Sequence, residues 1–375
     1  MRATHVSLFS GCGGFTTGLK AAGFETVLAL DLDPACLASH RLNHPEAATL
    51  QADLGAVDAG GLAALLRRQG AVPSSVTAAT MGPPCEPYSS ANPRKGREGD
   101  RRRGLYRPAI ALAAALGAEI IVVENVGDIR KYPEAGRILE ALGEAGYGNR
   151  LAAVLNAADH GVPQSRARWL VLAARDGGVR LRWPGPGDAT RVTVRDAFAG
   201  LPPEPGGRYG PGGGRYDALM RDHAFWRLAG TDGLTHHEAP TQTPAMRMRR
   251  QLVQPGKRAA DLRRSLPAEV AAAWVERRVL PPKDFKQRDY RLPWGRPANT
   301  VTAHAAEELI APDGGRPVTA REAARLQSFP DAYRWAGRLT APGNADVQSV
   351  YAQIGDSVPP LLAYRLGLTI KETLS

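Results

Sequence analysis

The chain has 375 residues, which is long enough for one large and one smaller domain. Its 48 Lys and Arg outnumber 37 Asp and Glu, and the net charge of +11 favours a polyanionic partner such as nucleic acid, although GC-rich coding would also enrich Arg. The three cysteines have no metal-type spacing and are too few for a disulfide framework, which predicts a reducing cytoplasm and no metal site. The sequence shows neither a secretion signal nor a membrane-crossing apolar run.

A nucleotide-cofactor cradle is predicted near the start of the chain. Residues 5–9 read as a strand, the glycine turn Ser10-Gly11-Cys12-Gly13-Gly14 follows, and residues 16–22 have a helical pattern. Glycines let the backbone approach a ligand, and the free amides of a helix N-terminus point at it. Many α/β proteins carry such a turn, nucleotide-binding oxidoreductases among them, so the turn alone does not identify the cofactor.

Two acidic residues follow the next predicted strands. Asp31 ends a strand at residues 26–30, where an acid commonly binds the ribose hydroxyls of a nucleoside. Asp53 follows a third strand and could bind the adenine amino group. Each carboxylate could instead cap a helix or a turn.

A rigid cysteine elbow is predicted after the strand at residues 76–80. In Met81-Gly82-Pro83-Pro84-Cys85 two prolines fix the backbone directly before the thiol. The carboxyl edge of an open α/β sheet is where ligands bind, and a thiol held there can act as a nucleophile. The alternative is a buried and inert cysteine in a proline turn.

A polar and strongly basic stretch occupies residues 90–104, and it is predicted to be a loop. Because the loop lies beside Cys85, it is interpreted as a lid that closes on a phosphate backbone; the alternative is a solvated loop. A helix is predicted at residues 106–117.

The apolar strand predicted at residues 119–123 ends in Glu124-Asn125-Val126. A carboxylate at this position shares a sheet edge with Cys85, and it is a candidate general acid.

Two arginines alternate in Gln164-Ser165-Arg166-Ala167-Arg168, at the start of another predicted strand. Alternate residues of a strand leave the same face, so both guanidinium groups could stabilise negative charge on a ligand. The alternative is an edge strand whose charges are solvated.

The order of these motifs resembles that of the DNA (cytosine-5)-methyltransferases. Four signatures are Phe9-Ser10-Gly11-Cys12-Gly13-Gly14, Gly82-Pro83-Pro84-Cys85, Glu124-Asn125-Val126 and Gln164-Ser165-Arg166-Ala167-Arg168. The runs at residues 316–331 and 353–360 are similar to the last two signatures of the family. Six signatures in the family's order cover nearly the whole chain apart from its middle.

The resemblance implies S-adenosylmethionine as the cofactor and S-adenosylhomocysteine as its product. The residues that would line the cofactor pocket are Phe9, Gly11, Gly13, Gly14, Asp31, Asp53, Pro84, Asp356 and Val358. The implied fold is α/β, with a Rossmann-like methyltransferase sheet and a smaller, irregular target-recognition domain.

The resemblance also implies a covalent mechanism on a cytosine that is flipped out of the duplex. The Cys85 thiolate would add to ring carbon 6 while Glu124 supports ring nitrogen 3. Arg168 would contact the base oxygen, and Arg166 would help to organise the pocket. Carbon 5 would then take the methyl group, and loss of its proton would expel the cysteine.

Two residues depart from the family pattern. Glu86 stands after the catalytic cysteine where the family usually has Gln, and Asp356 stands where it usually has Asn. Glu86 adds negative charge near a thiolate and a phosphate backbone, which disfavours both unless Glu86 is protonated or paired. Asp356 near the cofactor could favour the sulfonium charge. Neither is expected to abolish activity.

The catalytic domain is predicted at residues 1–178, completed by residues 346–375, and the target-recognition domain at residues 179–345. Basic side chains there can hold phosphates, and Arg or Gln can read base edges, whereas the alternative is a solvated helix face. The predicted DNA contacts are Ser89, Lys95, Arg97, Arg101, Arg247, Arg249, Arg250, Lys257 and Arg258.

The sequence therefore predicts a bacterial or phage enzyme that methylates cytosine in a short duplex DNA site. It is expected to be a monomer, cytoplasmic and nucleoid-associated, with a restriction endonuclease as a possible partner at the same site. The alternatives are a transfer-RNA methyltransferase of the related branch, a catalytically weakened DNA-binding homologue and an ordinary nucleotide-binding oxidoreductase.

Overall fold

A computed structural model gives the architecture of the chain. The described residues are 3–73, 75–89, 99–175, 177–187, 191–202, 235–284, 287–340 and 347–374. Most of the predicted lid and two of its candidate DNA contacts, Lys95 and Arg97, lie outside the described residues.

The first half of the chain alternates strands and helices. Its elements are β1 (Ala3–Leu8), α1 (Gly14–Ala21), β2 (Phe24–Asp31), α2 (Pro34–Asn43), β3 (Ala48–Gln51), α3 (Ala59–Arg68), β4 (Val76–Met81), α4 (Tyr106–Ala115), β5 (Ala118–Val126), α5 (Glu134–Glu144), β6 (Asn149–Asn156) and β7 (Ala167–Ala174). Each strand and helix predicted in this half is present, with ends that differ by a few residues.

Seven strands form one sheet in the order β3-β2-β1-β4-β5-β7-β6. In this order the first five strands, β3, β2, β1, β4 and β5, are parallel to one another, whereas β7 runs antiparallel to both of its neighbours. In the parallel register Leu8 pairs with both Leu30 and Met81, and Met81 pairs with Val123. The turns after β1, β2, β4 and β5 therefore meet at one edge of the sheet, together with the start of β7.

Both faces of the sheet are buried, as the continuous apolar run of β5 requires. Ile121 and Val123 point into a core formed with α3, α4 and α5. Ile120 and Val122 point into a second core that includes side chains of α1 and of α13 (Pro360–Leu374), the last helix of the chain. Each such side chain contributes about 1.5–3 kcal/mol when it is fully buried. The fold class predicted from the sequence is confirmed, and the last helix packs on the catalytic sheet.

The second half of the chain is irregular. Its described elements are α6 (Val194–Phe198), α7 (Pro244–Leu252), α8 (Ala259–Ser265), α9 (Ala268–Glu276), β8 (Tyr290–Arg291), α10 (Ala305–Glu308), β9 (Leu309–Ile310), α11 (Ala320–Leu326) and α12 (Val350–Asp356). One core joins Val194, Leu292, Phe329 and Ile354 to Cys12 of the glycine turn. This half therefore packs directly on the cofactor cradle, and the predicted boundary between two domains stays a prediction.

Candidate active site

The glycine turn after β1 has a backbone that few residues other than glycine adopt. Gly11 has φ of 53° and Gly13 has φ of 104°, and Phe9 has φ of 51°. A bulky residue in this left-handed region is strained, and such strain is concentrated at functional sites. The Gly11 amide donates a hydrogen bond of 2.7 Å to the Asp31 carboxylate, which ties the turn to the end of β2.

The end of β2 supplies a carboxylate and an apolar surface. Asp31 also accepts a hydrogen bond of 2.9 Å from the Asp33 amide, and burial raises the pKa of Asp31. Leu32, the next residue, is 61% exposed, although large aliphatic side chains usually avoid water. The sequence analysis missed Leu32, whose one signal is its position between two acids.

The cradle fits an adenosine-bearing cofactor. The Ser10 hydroxyl is buried and has no hydrogen-bond partner among the described residues, so a polar group of a ligand could satisfy it. A Cβ atom built on Gly11 would meet nothing within 4 Å, which leaves space in front of the turn. With Asp31 for a ribose and Leu32 for an adenine ring, these groups suit the chemistry of that ligand.

The other predicted cofactor residues follow different strands at the same edge of the sheet. Gly14 begins α1 against the Val358 carbonyl oxygen, which a Cβ atom on Gly14 would approach to 2.3 Å. Asp53 is exposed and accepts a hydrogen bond of 2.8 Å from the Gly55 amide, so it caps the turn after β3 as its alternative interpretation proposed. Pro84 is half-buried after β4.

The cysteine elbow is held from both sides. Asn125, at the end of β5, donates through its side-chain amide to the Pro83 carbonyl oxygen at 3.1 Å. The Cys85 carbonyl oxygen accepts from the amides of Tyr88 and Ser89, each at 2.9 Å. Contacts before and after the thiol therefore fix its backbone, and the neighbouring strand supplies one of them.

Glu124 and Arg168 form an ion pair across adjacent strands. Arg168, the second residue of β7, lies opposite Val126 at the end of β5, and this register brings its Nε to 2.9 Å from Glu124 Oε1. Their side chains are 11% and 12% exposed, so both remain accessible from the cleft. Arg168 therefore provides a positive charge beside Cys85 and orients the carboxylate.

Arg166 is fully buried. Its guanidinium donates to the carbonyl oxygens of Val301 at 2.8 Å, Gly355 at 2.8 Å and Ser357 at 3.1 Å. Burial and, to a smaller extent, the Arg168 charge lower the pKa of Arg166 to about 9, so Arg166 is still charged at neutral pH. It connects β7 to two distant segments, in keeping with the predicted role of organising the pocket.

These side chains line one cavity of about 1170 Å³. Among the predicted residues it contains Cys85, Ser89, Arg101, Glu124, Arg166, Arg168 and Asp356. The sequence analysis missed its far wall, which Gln287 and residues 300–304 form. Nothing in the composition of this segment marks His304 as a cavity residue.

The surroundings of Cys85 disfavour its thiolate form. Burial is the main cause that raises the pKa of Cys85 to about 12; the charges of Asp356, Glu86 and Glu124 contribute in the same direction, and Arg168 opposes them. Glu86 is 53% exposed, and its Oε1 lies 3.9 Å from Nη1 of Arg102. The sequence analysis required a partner for Glu86, and Arg102 is a loose one, since its guanidinium also binds Asp100.

The predicted DNA contacts of the second half differ in exposure. Arg247 and Lys257 are exposed, whereas Arg258 stacks on the Tyr290 ring with its guanidinium 5.0 Å from the ring centre.

Arg249 and Arg250 are buried, and the Nε atom of each lies 2.7 Å from a different oxygen of Asp289. We remove Arg249 and Arg250 from the expected phosphate contacts, because both guanidinium groups are buried and held by Asp289.

Comparison with known proteins agrees with this geometry. The family model for C-5 cytosine-specific DNA methylases matches residues 3–372. The type II methyltransferase M.AgeI of Thalassovita gelatinovora is 29% identical and 99% of each chain is covered. The type II methyltransferase M.XorII of Xanthomonas oryzae pv. oryzae is 31% identical over all of this chain and 85% of its own length. The chain belongs to the C-5 cytosine-specific DNA methylase family.

Solved structures show the same fold. A DNA modification methyltransferase encoded within an E. coli prophage has a TM-score of 0.73 at 20% identity, with 99% of each chain covered. The Dnmt2 methyltransferase of S. pombe has a TM-score of 0.53 at 18% identity, again over 99% of each chain. The chain is a DNA (cytosine-5)-methyltransferase, and its cofactor is S-adenosylmethionine.

Proposed function

We propose that this enzyme methylates carbon 5 of one cytosine in a short specific sequence of duplex DNA, through a covalent bond to Cys85. The observation that carries the proposal is the meeting of Cys85, Glu124 and Arg168 in one cavity beside the glycine turn. A nucleophile, a group for the ring nitrogen and a cation for the base oxygen are what addition to a cytosine ring requires.

The target base is flipped out of the duplex. Cys85 lies within a cavity rather than on a protruding surface, and a stacked base exposes only its edges in the grooves. The cavity of about 1170 Å³ is larger than one base, so it also has room for part of the backbone.

The chain's own residues perform addition and elimination. The Cys85 thiol loses its proton to solvent, and the resulting thiolate forms a bond to carbon 6. Glu124, carrying a proton, donates a hydrogen bond to ring nitrogen 3, and Arg168 binds the oxygen at carbon 2. Carbon 5 gains electron density and takes the methyl group. Its proton then leaves to solvent, the double bond between carbons 5 and 6 re-forms, and the thiolate departs with the electron pair of the carbon–sulfur bond.

The cofactor supplies an electrophilic methyl group on a positively charged sulfur. We propose that Phe9, Gly11, Gly13, Gly14 and the residues around Pro84 and Val358 shape its pocket. Asp31 binds its ribose hydroxyls, Leu32 packs on its adenine, and Asp53 lies at the adenine end.

We propose that duplex DNA lies over the mouth of the cavity. Ser89 and Arg101 line this mouth, and the exposed Arg247 and Lys257 extend the basic surface over the second half. The net charge of +11 supports binding to a phosphate backbone. Arg258, Lys95 and Arg97 stay predictions for further phosphate contacts.

The setting is proposed from the relatives. M.AgeI and M.XorII are named as type II methyltransferases, so a cognate restriction endonuclease at the same site is the expected partner. We propose a monomer that works at the nucleoid in a bacterial or phage-infected cytoplasm. Among the described residues, no helix has both the length and the apolar character needed to cross a membrane.

A catalytically weakened DNA-binding homologue is a second candidate. The observation that favours it is the raised pKa of Cys85, to which the two acidic departures Glu86 and Asp356 contribute after burial. Cys85, Glu124 and Arg168 are all in place, however, so we favour the active enzyme.

Transfer of a tritiated methyl group from S-adenosylmethionine to mixed-sequence duplex DNA tests the proposal. We expect label in 5-methylcytosine with the wild type and none with Cys85→Ser, and bisulfite sequencing of the product gives the site. Transfer RNA serves as the competing substrate. No label in DNA, with cofactor and DNA binding intact, would favour the weakened homologue; a large gain of rate in Glu86→Gln would then identify the impairing residue.

A further inference from the structure

Asp356 has a fixed backbone and an accessible carboxylate. It ends α12, whose preceding residues Ile354 and Gly355 are buried, while its own side chain is exposed within the cavity. Arg166 donates to the carbonyl oxygens on both sides of it, Gly355 and Ser357. The Gln327 side-chain amide binds the carbonyl oxygens of Ile354 at 2.7 Å and Ser357 at 3.0 Å. Four hydrogen bonds therefore hold the segment that presents this carboxylate.

The same segment lies against the cofactor cradle. The Ser357 hydroxyl is 3.1 Å from the Cys12 thiol of the glycine turn. Gln348 connects Asp356 to the end of β2, because its side-chain amide lies 3.3 Å from Asp356 Oδ2 and its backbone amide donates to Asp33 at 2.7 Å. Asp356 thus lies between the cradle on one side and the cavity of Cys85 on the other.

The methyl group that is transferred must reach the region between the cradle and Cys85. Cys85 attacks carbon 6 of the base, and the methyl group goes to the adjacent carbon 5, so the sulfur that carries the methyl group lies between the cradle and Cys85. That sulfur bears one positive charge before transfer and none afterwards. A carboxylate beside it therefore interacts with S-adenosylmethionine far more strongly than with S-adenosylhomocysteine.

We propose that Asp356 is a charge-selecting residue of the cofactor pocket: it favours the cationic methyl donor over the neutral product and so promotes exchange of the product after each transfer. The inference rests on the proposed placement of the cofactor.

The charges around Asp356 set the pH range in which it favours the cationic methyl donor over the neutral product. Enclosure in the cleft raises the pKa of Asp356 to about 6, and the Glu86 carboxylate contributes, whereas Arg166, Arg168 and His304 act in the opposite direction. Cys85 also faces it and is uncharged at neutral pH. Selection is therefore fully present at about pH 8 and is lost as the pH falls through 6.

Calorimetric titration of the full chain with each of the two cofactor forms, without DNA, tests the inference. At about pH 8 we expect the affinity ratio of S-adenosylmethionine to S-adenosylhomocysteine to be about tenfold higher in the wild type than in Asp356→Asn. At about pH 5 the wild-type ratio should fall most of the way to that of the variant, because Asp356 is then largely neutral.

Proton release gives an independent readout. A positive ligand charge lowers the pKa of a nearby carboxylate, so near pH 6 binding of S-adenosylmethionine should release a fraction of a proton and binding of S-adenosylhomocysteine should not. Titrations in buffers of different ionisation enthalpy measure this fraction. Glu86→Gln is the matched control, since it also exchanges a carboxylate beside Cys85 for an amide, and it should keep most of the release.

The outcomes separate this inference from the proposed function. An unchanged affinity ratio in Asp356→Asn, with both ligands bound, would overturn the inference alone. If Glu86→Gln loses as much proton release as Asp356→Asn, the inference is also overturned, because the preference would then come from the total negative charge of the cleft and not from Asp356. If neither ligand binds the wild type, the proposed function itself fails.

Discussion

Arg166 and Arg168 have different roles although they are only two residues apart. Arg168 contacts Glu124 and is accessible from the cleft, whereas Arg166 is buried and bonded to three carbonyl oxygens from other segments. One side chain is expected to contact the base, and the other holds the walls of the cavity together.

Arg168→Ala should therefore lose activity without losing the fold. We expect methyl transfer to fall by about 10²–10⁴-fold, the range for removing a group that stabilises charge in a transition state. The free energy of unfolding should fall by less than it does in Arg166→Ala, because water in the cleft can solvate the Glu124 carboxylate once its partner is removed. Steady-state rates and a thermal melt measure the two effects.

Arg166→Ala is the contrasting variant. It leaves buried carbonyl oxygens without donors, so the free energy of unfolding should fall by about 3–5 kcal/mol. A melt that matches the wild type for Arg166→Ala would contradict the role assigned to it.

The sequence predicted that both arginines would lie near the catalytic site but not that they would differ in burial. Alternation along a strand gives the shared face, which is a local property. The carbonyl partners of Arg166 belong to Val301, Gly355 and Ser357, more than 130 residues further along the chain. Such partners follow from tertiary packing, so no local pattern reports them.

At the scale of elements, the glycine turn after β1 is confined by the helix that follows β2. A Cβ atom on Gly13 would lie 2.8 Å from the Tyr333 hydroxyl and 3.0 Å from the His40 ring. The residue also has a positive φ of 104°. The turn can therefore keep its shape only with glycine at this position.

Gly13→Ala should weaken cofactor binding as well as stability. Backbone strain and the contact with Tyr333 together should cost about 1–3 kcal/mol. Gly11→Ala is the matched control, because its φ is also positive but its Cβ atom would meet nothing within 4 Å. Equal losses of stability in the two variants, measured by melting, would refute the contribution of packing.

Helix α7 is anchored by one carboxylate. Asp289 is buried, has a positive φ of 51° and binds both Arg249 and Arg250. Asp289→Asn keeps the shape but leaves two buried guanidinium groups short of their counter-ion. We expect a loss of about 3–5 kcal/mol in the free energy of unfolding, measured by urea denaturation.

Lys257→Ala is the control for Asp289→Asn because Lys257 is exposed in the same half of the chain. Its stability should stay within about 0.5 kcal/mol of the wild type, while the salt dependence of DNA binding should decrease by about one phosphate contact. A stable Asp289→Asn protein would contradict the anchoring role of Asp289 and show that Val279, Gln242 and Ala306, the other partners of the two arginines, are sufficient.

The strands and helices of the first half could be predicted because their signals are local: apolar runs, glycine turns and alternation. Arg249 and Arg250 could not be placed in this way. Their basic character indicated phosphate contacts, but Asp289 lies 40 and 39 residues further on, in a segment whose sequence gave no sign of pairing. A charge run is ambiguous until its counter-ions are known.

At the scale of the whole molecule, buried histidines make the fold sensitive to acid. His5, His40 and His44 lie under the cofactor cradle, and burial lowers the pKa of His5 to about 3 and that of His40 to about 4. Burial also lowers the pKa of His44.

The unfolded chain binds protons on these rings near the ordinary pKa of 6.5, whereas the folded chain does not. The free energy of unfolding is therefore highest above about pH 6.5, where these rings are neutral in both the folded and the unfolded chain. It decreases as the pH falls towards 4, by up to about 1.4 kcal/mol per pH unit for each histidine. Urea denaturation between pH 8 and pH 4.5 measures this slope. His40→Gln should reduce it, and an unchanged slope would contradict the assignment.

The catalytic cavity is also a property of the whole molecule. Its walls come from the elbow after β4, the end of β5, the start of β7, residues 300–304 and the end of α12. The ordered motifs predicted that Cys85, Glu124, Arg168 and Asp356 belong to one site. Local sequence patterns do not place His304 and Gln287 in this site, because these residues reach the cavity only through the packing of the second half of the chain.

Covalent capture tests the central claim most directly. Duplex DNA with 5-fluorocytosine at mixed positions is incubated with the enzyme and S-adenosylmethionine, and the products are separated under denaturing conditions. Because fluorine cannot leave as a proton does, the account predicts a stable adduct with the wild type and none with Cys85→Ala. An enzyme that methylates ordinary DNA yet forms no adduct, or an adduct that persists without Cys85, would contradict it.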